Sequence, residues 1–329
     1  MTRIGLVLGA GGTVGQAYHA GVLAALEHDL GWDARTADVM VGTSAGSVTA
    51  TLLRLGVPAS ELAAWAARAP LSVESRDLQQ LLGADPPQFP PFTINHWLRP
   101  WRLPSPALVA RLARRPWAFR PSVAAMTLLP SGRVDLIQHA NGLGEAAADA
   151  WPDGLWICAA RRSDGRRVVF GRDGSPRASL PQAVAASCAI PGYFSSVEVA
   201  GVEYFDGGVH SPSNADILRR AGLDLVIAVS PMSAAGGLAR TTDGLFRYSV
   251  HRRLERELAR LARDGTTVVR IEPAVETLAA MGVNMMAADR SDKVVQAAFV
   301  ETGAYVAKAP VITRLAPIDR RLTRHRLDS

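Results

Sequence analysis

A serine among small residues is the first candidate for chemistry in this chain. Ser44 stands in Gly42-Thr43-Ser44-Ala45-Gly46, after an apolar run and before a helix-like segment. Small residues on both sides let a strand turn sharply into a helix, and the turn exposes the serine hydroxyl where free N–H groups favour negative charge. The spacing predicts a nucleophile elbow with Ser44 as the nucleophile. An ordinary turn of small residues before a helix is the alternative.

A glycine-rich segment near the N-terminus is the second candidate. Residues 9–15 read Gly-Ala-Gly-Gly-Thr-Val-Gly, between a predicted strand at 4–8 and a predicted helix at 16–28. Such a loop turns N–H groups toward an anion, either a dinucleotide pyrophosphate or an oxyanion. The third glycine of the dinucleotide fingerprint falls one position late, and Asp38 lies at the wrong end of the second strand. We therefore interpret the loop as an oxyanion hole that faces Ser44 from an adjacent parallel strand.

A carboxylate beside two glycines is the third candidate. Asp206-Gly207-Gly208 follows a predicted hairpin formed by residues 197–199 and 202–204. A carboxylate in this loop can accept the serine proton if it lies within about 3 Å of the hydroxyl. The alternative is an Asp-Gly turn in which the carboxylate satisfies its own backbone.

These three features, in this order, resemble the patatin-like phospholipase family. The block at residues 6–15, running on to 26, is similar to the opening block of that family, and Gly42-Thr43-Ser44-Ala45-Gly46 matches its nucleophile motif. Residues 186–194, Ala-Ser-Cys-Ala-Ile-Pro-Gly-Tyr-Phe, resemble its Ala-Ser-x-Ala-x-Pro-x-x-Phe segment. The matching blocks extend from about residue 4 to 210, with a poorly matching stretch between them.

The resemblance implies a Ser44–Asp206 dyad without a catalytic histidine, and hydrolysis of lipid acyl esters without a metal or cofactor. It assigns the oxyanion hole to the N–H groups of Gly11 and Gly12. The supporting glycines are those flanking the nucleophile and those following the base, namely Gly42, Gly46, Gly207 and Gly208. Two departures bear on the oxyanion hole. Ala10 stands where the family usually has glycine, and Val14 where it usually has arginine or lysine.

Other functions remain open at this stage. A Ser-His-Asp hydrolase would need a histidine base, and His210 and His251 both follow Asp206. An acyltransferase or thioesterase would use the same acyl-enzyme. A catalytically weak lipid-binding protein on the same fold is favoured by Ala10 and Val14 and opposed by the presence of both Ser44 and Asp206. An NAD-dependent enzyme is the weakest alternative.

The order of predicted elements indicates an α/β fold, three-layered with a mostly parallel central sheet. We predict a single domain over residues 1–310 with a cap-like insertion at about 70–150, where prolines and tryptophans are concentrated and short helices are predicted at 105–114 and 122–129. Aromatic residues beside arginines in this insertion fit either a cap that completes the core or a rim that contacts a membrane. Residues 311–329 are interpreted as a basic, solvated C-terminal tail, with contact to lipid headgroups or a partner as the alternative.

Composition limits the class and compartment. The 329-residue chain is 48% hydrophobic and 20% charged, as expected of a globular protein, and its net charge is +6. The cations are arginines except for Lys293 and Lys308, which indicates genome composition rather than nucleic-acid binding, although a basic surface favours anionic membranes. Cys158 and Cys188 are predicted to be buried thiols rather than a disulfide. With neither a signal peptide nor a membrane-spanning apolar run, we expect a cytoplasmic protein with peripheral membrane contact.

Overall fold

The computed structural model describes residues 2–72, 150–235 and 243–328, together with scattered positions between 110 and 147; from residue 319 onward only the backbone is described. Most of the predicted cap at 70–150 lies outside the described residues. The predicted short helix at 122–129 lies wholly outside them, and of the one at 105–114 only residues 110, 113 and 114 are described. Near the C-terminal end of this insertion, the Gly132 N–H donates to Phe194 O and the Ser195 N–H donates to Val134 O.

A mostly parallel sheet forms the centre of the molecule, as predicted. Among the described residues, its eight strands are β1 (Ile4–Leu8), β2 (Val39–Thr43), β3 (Leu155–Arg161), β4 (Arg167–Phe170), β5 (Val197–Val199), β6 (Val202–Asp206), β7 (Leu225–Val229) and β8 (Thr267–Ile271). The order across the sheet is β5-β6-β3-β2-β1-β7-β8, with β4 also paired to β3. Strands β3, β2, β1, β7 and β8 run parallel, whereas β4, β5 and β6 are antiparallel to their neighbours.

Helices cover both faces of the sheet. In chain order among the described residues they are α1 (Gly12–Leu30), α2 (Ala45–Arg54), α3 (Ala59–Ala66), α4 (Leu180–Cys188), α5 (Gly244–Arg263), α6 (Val275–Met281), α7 (Ser291–Val306) and α8 (Ala309–Asp328). Helix α1 is buried on nearly all sides, because α2, α3 and α7 pack around it. Gly21 lets α1 approach α7 closely, since a Cβ at this position would lie 2.5 Å from Val295 O.

A large hydrophobic cluster lies on each face of the sheet, and a third, small cluster consists of Ala160, Phe205 and Val209. Strand β1 shows the alternation expected of a strand: Leu6 and Leu8 join the cluster under α1, whereas Val7 joins the cluster on the opposite face with Leu254 and Leu258 of α5. All five residues of β1 are buried, as is typical of a central parallel strand covered on both faces.

The register of the sheet brings distant parts of the chain to one edge. Leu8, the last residue of β1, pairs with Gly42 of β2, and Thr43 at the end of β2 pairs with Cys158 of β3. The next residue of β3, Ala159, pairs with Asp206 at the end of the antiparallel strand β6. The ends of β1, β2 and β6 therefore lie at the same level, with one strand between β2 and β6.

Two expectations from the sequence need correction. The segment after residue 310 is not a solvated tail over residues 311–318: it belongs to α8, and its apolar residues at positions i, i+4 and i+7 are buried in the core, namely Val311, Leu315 and Ile318. Helix α1 begins at Gly12, four residues before the predicted start.

Candidate active site

Ser44 occupies the sharp turn between β2 and α2. Its backbone has φ 53° and ψ −122°, in the region where a residue with a side chain is strained, and the residue is only 4% exposed. A Cβ at Gly42 would lie 2.5 Å from the Ser47 Cα, and a Cβ at Gly46 would collide with Leu8 O at the end of β1. The glycine spacing seen in the sequence is therefore required by close backbone packing around Ser44.

Asp206 reaches Ser44 from the other side of β3. Its carboxylate accepts hydrogen bonds from the Ser44 side chain and from the Gly208 N–H, the latter at 2.7 Å. Asp206 also caps a short 3₁₀ turn, Gly207–Val209, so the backbone role considered for an Asp-Gly turn is present beside the contact with Ser44. A Cβ at Gly207 would collide with Cys158 O, which explains a glycine at this position.

Burial raises the pKa of Asp206 to about 6, although the hydrogen bonds from the Ser44 side chain and the Gly208 N–H lower it. The cause is desolvation, because the residue is only 5% exposed and water cannot stabilise the charged form. A carboxylate with this pKa is a far better proton acceptor at neutral pH than an ordinary aspartate.

The glycine-rich segment lies against residues that neighbour Asp206 and Ser44. A Cβ at Gly208 would be 3.5 Å from Ala10 Cβ, and a Cβ at Gly15 would be 3.7 Å from Ala45 Cβ. Gly11 is the N-cap of α1 and Gly12 is its first residue. Their N–H groups have no acceptor among the described residues, whereas the Ala10 N–H donates to Pro212 O and the Val14 N–H to Met285 O. The arrangement leaves two N–H groups at the N-terminus of α1 available to an anion.

The two departures from the family pattern have local explanations. Ala10 is not among the residues with positive φ, so its side chain causes no backbone strain. Val14 is fully buried in the cluster under α1, where a cationic side chain would be without water. Gly12 does need to be glycine, because its φ is 61° and a Cβ would lie 2.5 Å from Met285 O.

Sequence reasoning missed the contribution of Ser187 at the end of α4. Its hydroxyl accepts the Ser44 N–H at 2.9 Å and donates to Cys158 O at 2.7 Å, with both bonds buried. Two residues later, Ala189 O accepts the Asp206 N–H at 3.0 Å. The Ala-Ser-x-Ala motif was the available signal, but its spacing alone does not reveal a partner 143 residues away.

The two cysteines are free thiols, as predicted. Cys188 lies beside the site: its Sγ is 3.7 Å from Ser47 Oγ, and it also contacts the Ser44 side chain. Burial raises the pKa of Cys188 to about 12, and the negative charge of Asp206 acts in the same direction. The thiol is therefore neutral at physiological pH and a poor nucleophile.

Neither of the histidines considered as a base is bonded to Asp206 in the described part of the chain. His251 Nδ1 lies 2.9 Å from Glu272 Oε1, and its ring stacks on Tyr248. The backbone N–H of His210 donates to Gly207 O, and the imidazole ring of His210 lies within electrostatic range of Asp216.

The architecture and motifs agree with a known family. A family model described as patatin-like phospholipase matches residues 6–219, nearly two thirds of the chain. The chain belongs to the patatin-like phospholipase family. Membership in the patatin-like phospholipases supports lipid ester hydrolysis as the general class of activity. No curated protein matches the chain.

Solved structures similar to this patatin-like chain include two bacterial proteins. VipD from Legionella pneumophila matches with 13% identity and a TM-score of 0.42, covering 92% of this chain and 66% of its own. The type III effector ExoU matches with 17% identity and a TM-score of 0.41, covering 95% of this chain and 53% of its own. The patatin-like chain thus spans about half to two thirds of the length of these proteins.

Two other kinds of site are absent from the described ranges. Residues 2–72, 150–235 and 243–328 contain no group of three or more His, Cys, Asp or Glu side chains placed to bind a metal ion. None of the helices in these ranges combines the length and apolar character needed to cross a bilayer.

Proposed function

We propose that this protein hydrolyses carboxylic esters of lipids through an acyl-enzyme on Ser44, with Asp206 as the base. The observation that supports this most directly is the hydrogen bond between the Ser44 side chain and a buried carboxylate whose pKa is about 6. A base with this pKa is ionised at neutral pH and still basic enough to take the serine proton as attack proceeds.

In the first half-reaction, Ser44 Oγ attacks the carbonyl carbon of the ester and its proton passes to the Asp206 carboxylate. The carbonyl oxygen becomes an oxyanion that accepts hydrogen bonds from the Gly11 and Gly12 N–H groups, aided by the N-terminus of α1. The tetrahedral intermediate collapses to the acyl-enzyme. The leaving alcohol takes the proton from Asp206, which returns to its ionised form.

In the second half-reaction, water replaces the alcohol. Asp206 accepts a proton from the attacking water, and the same two N–H groups stabilise the second oxyanion. Collapse breaks the ester bond to Ser44, and Ser44 Oγ recovers its proton from Asp206. The products are the free acid and the original alcohol, and no metal or redox cofactor enters the balance.

A fluorophosphonate probe and a panel of p-nitrophenyl and phospholipid esters test this proposal. The probe should label the wild-type protein at Ser44, and Ser44→Ala should lose both labelling and hydrolysis by several orders of magnitude. Asp206→Asn should be nearly as inactive. Ser233→Ala is a matched control, because Ser233 is also a buried serine but its hydroxyl donates to Ser230 O rather than to Asp206. Substantial hydrolysis by folded Ser44→Ala would exclude the mechanism.

The identity of the acyl acceptor is a separate part of the proposal. The same acyl-enzyme would serve an acyltransferase, which passes the acyl group to an alcohol, amine or thiol instead of water. Thin-layer analysis of products with and without an added alcohol or thiol distinguishes these outcomes. We expect free acid as the main product in both conditions; a new ester or thioester that replaces it would identify a transferase.

We also propose that the edge of the sheet that carries Ser44 contacts anionic membranes. Leu245 and Phe246, in the first turn of the helix that follows β7, are 74% and 48% exposed. Val275 is the first residue of the helix that follows β8. Val283 lies in the connection after that helix, and this connection packs against the start of α1, because Met285 O accepts the Val14 N–H. All four apolar side chains therefore belong to connections at the carboxyl edge of the parallel strands, and the net charge of +6 favours anionic headgroups.

Vesicle flotation tests the membrane proposal. Binding to vesicles that contain an anionic phospholipid should exceed binding to zwitterionic vesicles and weaken as salt rises. Replacing both Leu245 and Phe246 with serine should reduce binding at every salt concentration, because it removes apolar area. Val300→Ser, an exposed apolar residue within α7, should have little effect. Absence of any binding at low salt would contradict the proposal.

A further inference from the structure

Asn214 is a fully buried residue whose side chain connects the turn that carries Ser44 to the loop that follows Asp206. Its Nδ2 donates to Thr43 Oγ1 at 3.1 Å and lies 3.4 Å from Gly207 O. Thr43 is the residue before Ser44, and Gly207 is the residue after Asp206. One amide group therefore contacts the neighbour of each side chain of the proposed dyad.

The orientation of this amide follows from its partners. The Arg167 guanidinium, which can only donate, lies 3.1 Å from Asn214 Oδ1, so the oxygen must face Arg167. The nitrogen then faces the carbonyl oxygens of Gly207 and Ser211, which can only accept. A reversed amide would oppose donor to donor and acceptor to acceptor, so the direction of the bonds to Thr43 and Gly207 is fixed by chemistry.

The backbone around Asn214 is also suited to this position. Its φ is 51° and its ψ is 26°, the left-handed conformation that asparagine tolerates better than other residues with a side chain. The flanking loop is anchored by the buried Glu257 of α5, which accepts bonds from Ser211 Oγ, Ser213 Oγ and the Ala215 N–H at 2.7, 2.6 and 3.0 Å. Glu257 thus holds the loop that carries Asn214, while the amide of Asn214 contacts Thr43 and Gly207.

We propose that Asn214 is a positioning residue that sets the spacing between Ser44 and Asp206. The inference rests on the proposed function, because it assumes that these two side chains react together. Ser187 fixes the Ser44 N–H and Ala189 fixes the Asp206 N–H from one side, and Asn214 joins Thr43 to Gly207 from the other. A nucleophile displaced by about 1 Å can lose about 100-fold in rate, so a brace of this kind has a kinetic consequence.

Asn214→Gly removes the amide and still permits the positive φ, whereas Asn214→Asp keeps the shape but loses the donor. For both variants we expect kcat on a p-nitrophenyl ester to fall about 10- to 100-fold, with KM changed less than about threefold. The rate of fluorophosphonate labelling should fall by a similar factor. The acid limb of the pH–rate profile should move upward, because a longer contact with Ser44 lowers the Asp206 pKa less.

Arg54→Met is the control for a general loss of stability. Arg54 donates to Arg35 O and Ala37 O, before β2 begins, at the opposite edge of the sheet from Ser44. This variant should lower the melting temperature without changing kcat or the acid limb. If the Asn214 variants differ from wild type only as Arg54→Met does, the proposal is wrong.

Thr43→Val removes the acceptor of the hydrogen bond that Asn214 donates to Thr43. It tests the proposal even if the Asn214 variants fail to fold. Valine is nearly isosteric with threonine but offers no acceptor to Asn214 Nδ2, so kcat should fall about three- to tenfold. Added to Asn214→Gly, it should cost little more, because the bond is already absent. Full additivity would contradict the bridge. Activity that survives in Ser44→Ala would instead refute the proposed function, so the two failures are distinguishable.

Discussion

The Ser44 N–H donates a hydrogen bond to Ser187 Oγ at 2.9 Å, and the same hydroxyl donates to Cys158 O at 2.7 Å. Ser187 thereby joins the strained turn at the end of β2 to the neighbouring strand β3. The strain at Ser44, with φ 53°, persists only while its surroundings hold it, and Ser187 supplies the partner for its N–H group.

Ser187→Ala should therefore weaken both stability and catalysis. It leaves a buried N–H and a buried carbonyl without this partner, which costs about 1–3 kcal/mol. We expect kcat to fall about tenfold with little change in KM, measured on a soluble ester alongside urea unfolding. Ser233→Ala should lose comparable or less stability and keep kcat. Equal kcat values for the two variants would show that Ser187 supports the fold alone.

The pH dependence of kcat/KM should have an acid limb near pH 6. The Asp206 pKa is raised by burial to about 6, and only the ionised form can accept the serine proton. Activity should rise about tenfold per pH unit below the limb and level off above it. Initial rates on an uncharged ester from pH 4.5 to 8.5 give this dependence of kcat/KM on pH. A limb near the ordinary aspartate value of 3.8 would contradict the raised pKa.

Asp206→Asn should stabilise the folded protein at alkaline pH while abolishing activity. The pKa of Asp206 in the folded protein lies above its unfolded value of 3.8. The contribution of Asp206 to the stability of the folded protein is therefore complete below pH 3.8 and is lost as pH rises through about 6, because the buried carboxyl group then carries a charge. The difference of about two pKa units corresponds to an upper bound of about 3 kcal/mol. Unfolding of both proteins at pH 4.5 and pH 8 should show the advantage of asparagine mainly at pH 8.

Asp264→Asn provides a control of opposite sign. Asp264 lies in an exposed pair with Arg219, whose hydrogen bond lowers its pKa, so its charge favours folding at neutral pH. This variant should not gain stability between pH 4.5 and pH 8. A gain in both aspartate variants would indicate an effect common to replacing aspartate with asparagine rather than relief of a buried charge at Asp206.

His251→Ala should leave most of the activity in place. The His251 ring lies against Glu272 and Tyr248, and Glu272 keeps a second partner in Arg270 at 2.9 Å. We expect kcat/KM within about threefold of wild type and a loss of about 1–3 kcal/mol in unfolding free energy. An inactive His251→Ala protein with normal circular dichroism would point to a Ser-His-Asp triad instead.

Local features of the sequence determined the nucleophile elbow and the hairpin before Asp206. The glycines around Ser44 and the apolar run before it predict the elbow, because a sharp turn and a buried strand each impose their demands on adjacent residues. The hairpin strands predicted at 197–199 and 202–204 were confirmed for the same reason. The prediction of a solvated tail at residues 311–329 was wrong over residues 311–318, because it followed the many arginines and overlooked three apolar residues at helical spacing. Burial of those three residues depends on the nearby strands β7 and β8.

Only the tertiary structure decided how the site is assembled. Asp206 arrives on an antiparallel strand with β3 between it and Ser44, and no local pattern encodes that order of strands. Ser187 and Asn214 contact the nucleophile turn across 143 and 171 residues of chain. Residue types and short spacings specify turns and strands, whereas partners this far apart are chosen by the packing of the whole sheet, which places them at one edge.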